Sequence, residues 1–397
     1  MATSGRVEKI VEGGWGLIRS RGPVVLLRNV IPGEKIRYAI REEKKGIAWG
    51  EVMEIIEASP DRIPPPCPYY GECGGCMFQH IRYSRQLTLK REVFLETLQR
   101  IGRMDICPEK IISSPPTGYR IRAKFKSAPD GRIGYIEKGT HRVLPIDQCL
   151  IVTPAISRFL TLYNRLASPP FSYQFDVLEN AGQLSVYLPH PPTGADRRTL
   201  EDLAGEKVRF YWKSNWKESL SPLSIGGFEY QVSPAVFFQV NRHLWTSLLE
   251  TVDRHLFPME EALDLYSGVG FFVPLLQTRA RRVSAVENHP LAIQVIQKQF
   301  PRCRLYPQNA EKFSFPPADL LLVDPPRCGL SSKVLGKILS RRYPRIIYIS
   351  CYPASLARDC RILLDRGKYR IVTITLLDLF PQTPHLESIT LLERPGR

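Results

Sequence analysis

The stretch Ile346-Ile-Tyr-Ile-Ser350-Cys351-Tyr352-Pro353 places a thiol at the end of an apolar, β-branched run. Such a run reads as a buried strand, and the proline two residues after the cysteine stops its ladder. Ligands of open α/β sheets bind at the carboxyl ends of strands. Cys351 is therefore placed to act as a nucleophile. On this stretch alone, a buried structural cysteine is an equal reading. The neighbours shift the balance. Asp319-Leu-Leu-Leu-Val323-Asp324-Pro325-Pro326-Arg327 is a second apolar strand, and it ends in a carboxylate followed by two prolines that fix the chain.

Ala262-Leu-Asp-Leu-Tyr266-Ser-Gly268-Val-Gly270 reads as strand, tight turn and helix start. Gly268 and Gly270 let the backbone approach a ligand closely. The next strand, Arg282-Val-Ser-Ala-Val286, ends in Glu287, an acidic side chain placed to hold ribose hydroxyls. The turn lacks the third glycine of the dinucleotide pattern, so little is left to cradle a pyrophosphate. That favours an adenosyl ligand without phosphates, namely S-adenosylmethionine. Asn309, after a further short strand, offers an amide to the adenine. An acidic or amide residue before two prolines, as at Asp324, is frequent in methyltransferases that act on nucleobase atoms.

The nine cysteines are an odd number, which suits thiols or metal ligands in a reducing compartment better than disulfides. Cys67, Cys73 and Cys76 form a cluster. Zinc and iron–sulfur centres both take cysteine sets with a C-x2-C element, and spacing alone leaves zinc slightly ahead.

The chain that must position these groups has 397 residues, enough for two or three domains. Lys and Arg number 55 against 39 Asp and Glu, a net charge of +16. That excess suits a polyanion, nucleic acid first. No apolar stretch approaches the ~18–20 residues that span a bilayer. The start carries no apolar signal region, so a cytoplasmic location and no membrane partner are expected. Residues 1–58 read as a small β-barrel punctuated by Gly13-Gly14, Gly22-Pro23 and Pro32-Gly33. Such barrels often carry single-stranded nucleic acid. After the stiff run Ile63-Pro-Pro-Pro66, residues 59–233 hold the cysteine cluster, a helix over Ser84–Arg103 and a second β-rich region. In Tyr119–Lys126 every even position is cationic. A period of two puts Arg120, Arg122, Lys124 and Lys126 on one face, a surface for phosphates. From residue 234 to 397, apolar strands alternate with helical stretches, the pattern of a mostly parallel sheet with helices on both faces. A long amphipathic helix, Phe237 to Leu256, is expected at its start. The fold class is α/β, Rossmann-like, with the small barrel ahead of it and a central β-rich part between.

With these motifs in place, the sequence resembles the iron–sulfur RNA 5-methyluridine methyltransferases over essentially its whole length. The first 58 residues look like the family's TRAM barrel. Phe237-Phe-Gln-Val-Asn241, Asp264–Gly270, Asp324-Pro-Pro-Arg-x-Gly-Leu330, Ser350-Cys-x-Pro353 and His385-Leu-Glu387 occur in the family's order. The resemblance implies Cys351 as nucleophile and Glu387 as general base. Gln239, Tyr266, Glu287, Asn309 and Asp324 match positions that line the methyl donor and the target base. Cys67, Cys73, Cys76 and Cys149 match the ligands of a [4Fe–4S] cluster. The chain departs from the family at Tyr352 and Phe271, where asparagine is usual. Barrel and cluster point to the branch acting on 23S ribosomal RNA, with transfer RNA as the alternative substrate. A non-catalytic RNA-binding protein on the same scaffold is the rival reading, and a monomer is the default state.

Overall fold

The structure is a computed structural model that describes residues 3–20, 22–166, 174–191 and 207–395. The amino-terminal part is strand-rich. Six strands, from Thr3–Arg6 to Ile47–Glu57, form one sheet around Val7, Val25, Leu27, Ile36 and Tyr38. Its first two strands, Thr3–Arg6 and Lys9–Val11, are separated by a short break. The break lies where the backbone changes partner: Val7 donates to Glu34 and Glu8 to Leu17.

The expected helix is present as Tyr83–Thr97, extended by a π-helical turn over Leu98–Gly102. A Cβ on Gly102 would lie 3.4 Å from the Ala357 carbonyl oxygen, so glycine permits close packing on the helix Pro353–Gly367. The same helix is anchored to the far end of the chain. Lys90 and Asp378 form an ion pair at 2.6 Å, both side chains fully buried, and Tyr83 also donates to Asp378. Gln86 and Gln382 exchange hydrogen bonds in both directions, at 2.9 and 3.1 Å. Met77 and Phe78, directly after Cys76, both donate to the Gln382 carbonyl. These bonds fix the loop that leads into Glu387.

A second sheet of six described strands carries Arg122–Ser127 beside Phe175–Asn180. Its core includes Phe125, Phe159, Tyr163 and Phe175.

The carboxyl-terminal part is a Rossmann-like α/β layer. Its eight described strands run Arg304–Pro307, Ala280–Glu287, Met259–Leu265, Leu320–Val323, Arg345–Ser350, Glu387–Glu393, Arg370–Leu377 and Lys110–Ile112. The first five are parallel, and Glu387–Glu393 is antiparallel to both its neighbours. Chain order reverses between Met259–Leu265 and Leu320–Val323, the switch point at which such sheets bind ligands. Continuous burial of Leu320–Val323 reflects coverage on both faces. Lys110–Ile112, from the region upstream, pairs with Arg370–Leu377 and completes the edge.

The long helix expected from Phe237 is shorter. Only Trp245–Asp253 is helical. Before it, the backbone spends its hydrogen bonds elsewhere: Ile121 donates to the Val240 carbonyl and Arg242 to that of Tyr119. The buried Asn241 amide donates to Ser114 and to the Leu379 carbonyl. Phe237 and Phe238 sit at helical spacing by coincidence; Phe238 is core and Phe237 is exposed. Among the described residues no helix is long and apolar enough to cross a membrane.

Candidate active site

Four strand ends meet at one edge of the sheet. Asp264 and Tyr266 close one strand, Asp324 follows the next and Cys351 the third. Glu387 opens the antiparallel strand, whose Ser388 lies opposite Ser350. The reversed direction brings the beginning of that strand to the edge where the parallel strands finish. Gln239, Asp264, Tyr266, Asp324, Cys351 and Glu387 all line a cavity of about 410 Å³.

The turn after Leu265 is held tightly. Tyr266 and Ser267 both donate to the Val286 carbonyl. Tyr266 adopts φ +63°, a left-handed conformation rare for a bulky residue and characteristic of functional turns. Gly268, at φ +56°, donates to Glu287 Oε2 at 2.8 Å, while Glu287 Oε1 accepts from Asn288 and His289. The glycine turn and the acidic residue are thus one unit. A Cβ on Gly270 would meet the Phe300 ring at 3.0 Å. Asn309 is exposed and caps its own turn, accepting from Glu311. It lines an adjoining cavity of about 810 Å³, which shares Tyr266 and Pro326 with the first. Phe271 makes an apolar wall: it stacks on Tyr230 at 5.5 Å and its carbonyl accepts the Tyr230 hydroxyl.

Asp264, the first residue of the Asp264–Gly270 motif, lines the cavity although the sequence gives it no separate role. It is 1% exposed and neither carboxyl oxygen has a partner. Burial, then Asp324 and Glu287, push its pKa well above the ordinary carboxylate range. Apart from that motif, its signal in the sequence is an acid inside an apolar strand, which a buried location makes costly without a cationic ligand.

Cys351 is half-buried. Burial, then Glu387 and Asp324, push its thiol up to about 12, against the opposing pull of Arg327. Burial and Asp324 raise Glu387 well above the ordinary value, and burial lifts Asp324 to about 7. Three proton-holding groups therefore face one another around a space suited to a cation. Tyr352, the unusual neighbour, leaves the turn intact. Ser350 Oγ accepts its N–H at 3.2 Å and Ser355 donates to its carbonyl at 3.0 Å.

Cys67, Cys73, Cys76 and Cys149 line a separate cavity of about 280 Å³ with Arg120 and Lys124. Gly75 donates to Cys73 Sγ at 3.4 Å, and the Ile151 and Val152 backbones favour the Cys149 thiolate against a burial that pushes its pKa up. Burial first, then the neighbouring thiols, push Cys76 up to about 12. Among the described residues, no three His, Cys, Asp or Glu side chains converge as a single metal ion requires. The four cationic residues are not all free. Arg122 and Lys124 share Asp176, at 3.0 and 3.6 Å. Arg120 Nε donates to the Arg122 carbonyl, and Lys126 is exposed.

Residues 292–395 match the family model described as tRNA (Uracil-5-)-methyltransferase. An uncharacterized RNA methyltransferase of Aquifex aeolicus is 32% identical, over 98% of this chain and 97% of its own length. The 23S rRNA (uracil(1939)-C(5))-methyltransferase RlmD of Shewanella amazonensis is 30% identical, over 98% and 95%. Among solved structures, the Pyrococcus abyssi tRNA (uracil-54, C5)-methyltransferase, in complex with S-adenosyl-L-homocysteine, shares the fold. Its TM-score is 0.78 at 24% identity, covering 98% of this chain and 99% of that one.

Proposed function

The chain belongs to the S-adenosylmethionine-dependent RNA (uracil-5-)-methyltransferases, and from that premise we propose that it methylates carbon 5 of one uridine in 23S ribosomal RNA, with Cys351 as nucleophile and Glu387 as base. The observation that carries the chemistry is the meeting of Cys351, Glu387, Asp324 and Gln239 in one cavity at the sheet's switch point. The relatives named for 23S RNA align end to end with this chain, which supports the ribosomal substrate. Transfer RNA is the second reading, favoured by the likeness in fold to an enzyme named for it.

Carbon 5 of uracil is a weak nucleophile. Cys351 adds through sulfur to carbon 6, which turns the ring into an enolate and makes carbon 5 reactive. When bound, S-adenosylmethionine would supply the methyl group to carbon 5 from its sulfonium, the S–CH3 bond breaking to leave neutral S-adenosylhomocysteine. Glu387 then removes the proton left on carbon 5, and Cys351 departs as carbons 5 and 6 regain their double bond. Gln239 reads the uracil edge. Asp264 has two unpartnered oxygens for the donor's ammonium, Glu287 holds its ribose and Asn309 its adenine. Tyr266, Gly268 and Gly270 shape the turn around it, and Asp324 steadies donor and base. The uridine must leave its stack to enter.

Three parts share the work. Residues 1–58, a TRAM-like barrel, and 59–233 bind RNA, with Arg120, Arg122, Lys124 and Lys126 contributing phosphate contacts, while 234–397 catalyse. The four cysteines suit a [4Fe–4S] cluster. A cubane spreads four thiolates over four irons, wider than one tetrahedral ion allows, and N–H groups directed at sulfur favour such thiolates. The thiols would hold the cluster beside Thr383, in the loop before Glu387. Protein purified without oxygen should carry about four irons and four sulfides per chain; stoichiometric zinc and no colour would rule the cluster out.

The decisive experiment supplies labelled S-adenosylmethionine with unmodified 23S RNA and, separately, unmodified transfer RNA. Product nucleosides are identified by mass spectrometry. 5-Methyluridine in the 23S RNA alone is expected. Its appearance only in transfer RNA would replace the substrate, and its absence from both would favour a binding protein on this scaffold.

A further inference from the structure

We propose that Glu12, Arg327 and Tyr352 form a subsite next to Cys351 for a second RNA base, adjacent to the target uridine and bearing an amino group. The inference rests on the uridine reading above and adds a determinant of sequence choice. A cavity of about 590 Å³ opens on the side of Cys351 away from the donor. It shares Cys351 and Arg327 with the cavity that holds Gln239 and Glu387. Its other wall is the turn Val11–Gly13 of the amino-terminal sheet. Two nucleotides of one strand can therefore occupy the two cavities side by side, with Cys351 between them.

The turn is held firmly in place. The Gly13 carbonyl accepts from Arg28, whose guanidinium lies 3.6 Å over the Trp15 ring. A Cβ on Gly14 would stand 3.0 Å from the Phe78 ring and 3.1 Å from Pro384, so only glycine lets the turn seat beside His385. This fixes Glu12 over the site. Its carboxylate lies close enough to the Tyr352 hydroxyl to raise that group's pKa, and Oε1 is buried with no partner.

The remaining surfaces suit a flat ring. The Arg327 guanidinium lies 5.5 Å from the centre of the Tyr352 ring, and its Nη2 is 3.0 Å from His385 Nδ1. Aromatic rings and planar guanidinium groups are the platforms on which unpaired bases stack. A carboxylate accepts hydrogen bonds and donates none. It pairs with the amino groups of cytosine, adenine or guanine, and it repels the two carbonyl oxygens of uracil. The asparagine usual after the nucleophile has no ring for such stacking. Tyr352 thus acquires a purpose that its departure from the family pattern leaves open.

The test uses a pool of RNA hairpins, each with a single 5-fluorouridine in the loop and randomised bases on both sides. Fluorine cannot leave carbon 5 as a proton does, so the adduct with Cys351 persists and survives denaturation. Full-length protein and S-adenosylmethionine are added, and the trapped RNA is sequenced. At one flanking position, amino-bearing bases should exceed uracil by about tenfold. Among adducts that still form, Glu12→Ala should lose this preference. Glu12→Gln, whose amide both donates and accepts, should move the preference toward uracil, a change that mere loosening of the fold would not produce. Equal use of all four bases by the wild type would overturn the subsite, as would a preference untouched in both variants. No trapped RNA of any sequence would overturn the uridine reading itself.

Discussion

Cys351→Ala should abolish methyl transfer, by on the order of 10⁴-fold or more, with donor binding retained. On the proposed mechanism the side chain makes and breaks the bond to carbon 6, and no other cysteine lines the cavity. The surroundings explain how a thiol that burial, Glu387 and Asp324 push up to about 12 can serve. A thiol so placed is almost wholly protonated near neutral pH. Two influences favour the thiolate: the Arg327 charge and the start of the helix Pro353–Gly367, which lies just beyond Tyr352. The larger change comes from the donor. A sulfonium cation placed among Cys351, Asp324 and Glu387 lowers the pKa of all three. S-Adenosylhomocysteine has the same shape without that charge. Alkylation of Cys351 by iodoacetamide should therefore be faster at pH 8, by roughly three- to fourfold per unit of pKa lost, with a non-transferable sulfonium analogue bound than with S-adenosylhomocysteine. The mapped peptide identifies the residue, and equal rates would show that the donor's charge does not prepare the thiol. Full methyl transfer by Cys351→Ala would remove the covalent route altogether.

Much of this site was legible because each catalytic-edge strand is an apolar run with a polar residue at its end. Leu320–Val323 leads to Asp324, Arg345–Ser350 to Cys351, and Ala280–Val286 to Glu287. The parallel α/β pattern was legible for the same reason. What could not be read depends on contacts distant in sequence. The resemblance names Glu387, but that it reaches Cys351 through an antiparallel strand is not legible, since hydropathy carries no direction. Asp264 resembles any strand interior until Asp324 and Glu287 are seen to face it. The cations of Tyr119–Lys126 have one period and one face, but the pairing of Lys124 with Asp176 across two strands decides which remain free. Phe237 and Phe238 imitate a helix because apolar spacing does not report where backbone hydrogen bonds go. Glu12 was silent: no local pattern tells that a turn near the start of the chain closes over a cysteine near its end.

Glu387→Gln should stop the reaction after methylation, leaving a protein–RNA adduct that survives denaturant and migrates as one species. The amide keeps the size of the side chain and cannot take the carbon 5 proton. Turnover should fall by about 10²–10⁴-fold, while the first methyl transfer to carbon 5 still occurs. Burial and Asp324 favour the protonated form of Glu387. Proton removal should therefore quicken as pH rises toward the raised pKa of Glu387. The same shift has the opposite effect on stability. The folded protein keeps a proton that the unfolded chain releases near the ordinary glutamate value of about 4.3. Stability thus falls as pH climbs from there toward the folded pKa. The glutamine variant is neutral in both states and lacks this contribution, so it should match the wild type near pH 4 and exceed it near neutrality in denaturant unfolding. A variant that arrests with bound RNA yet resists unfolding better at neutral pH can be explained only by a residue that is costly to bury and needed for chemistry. Loss of turnover without an adduct, accompanied by weaker folding, would instead make Glu387 part of the scaffold and leave the base to be sought at Asp324.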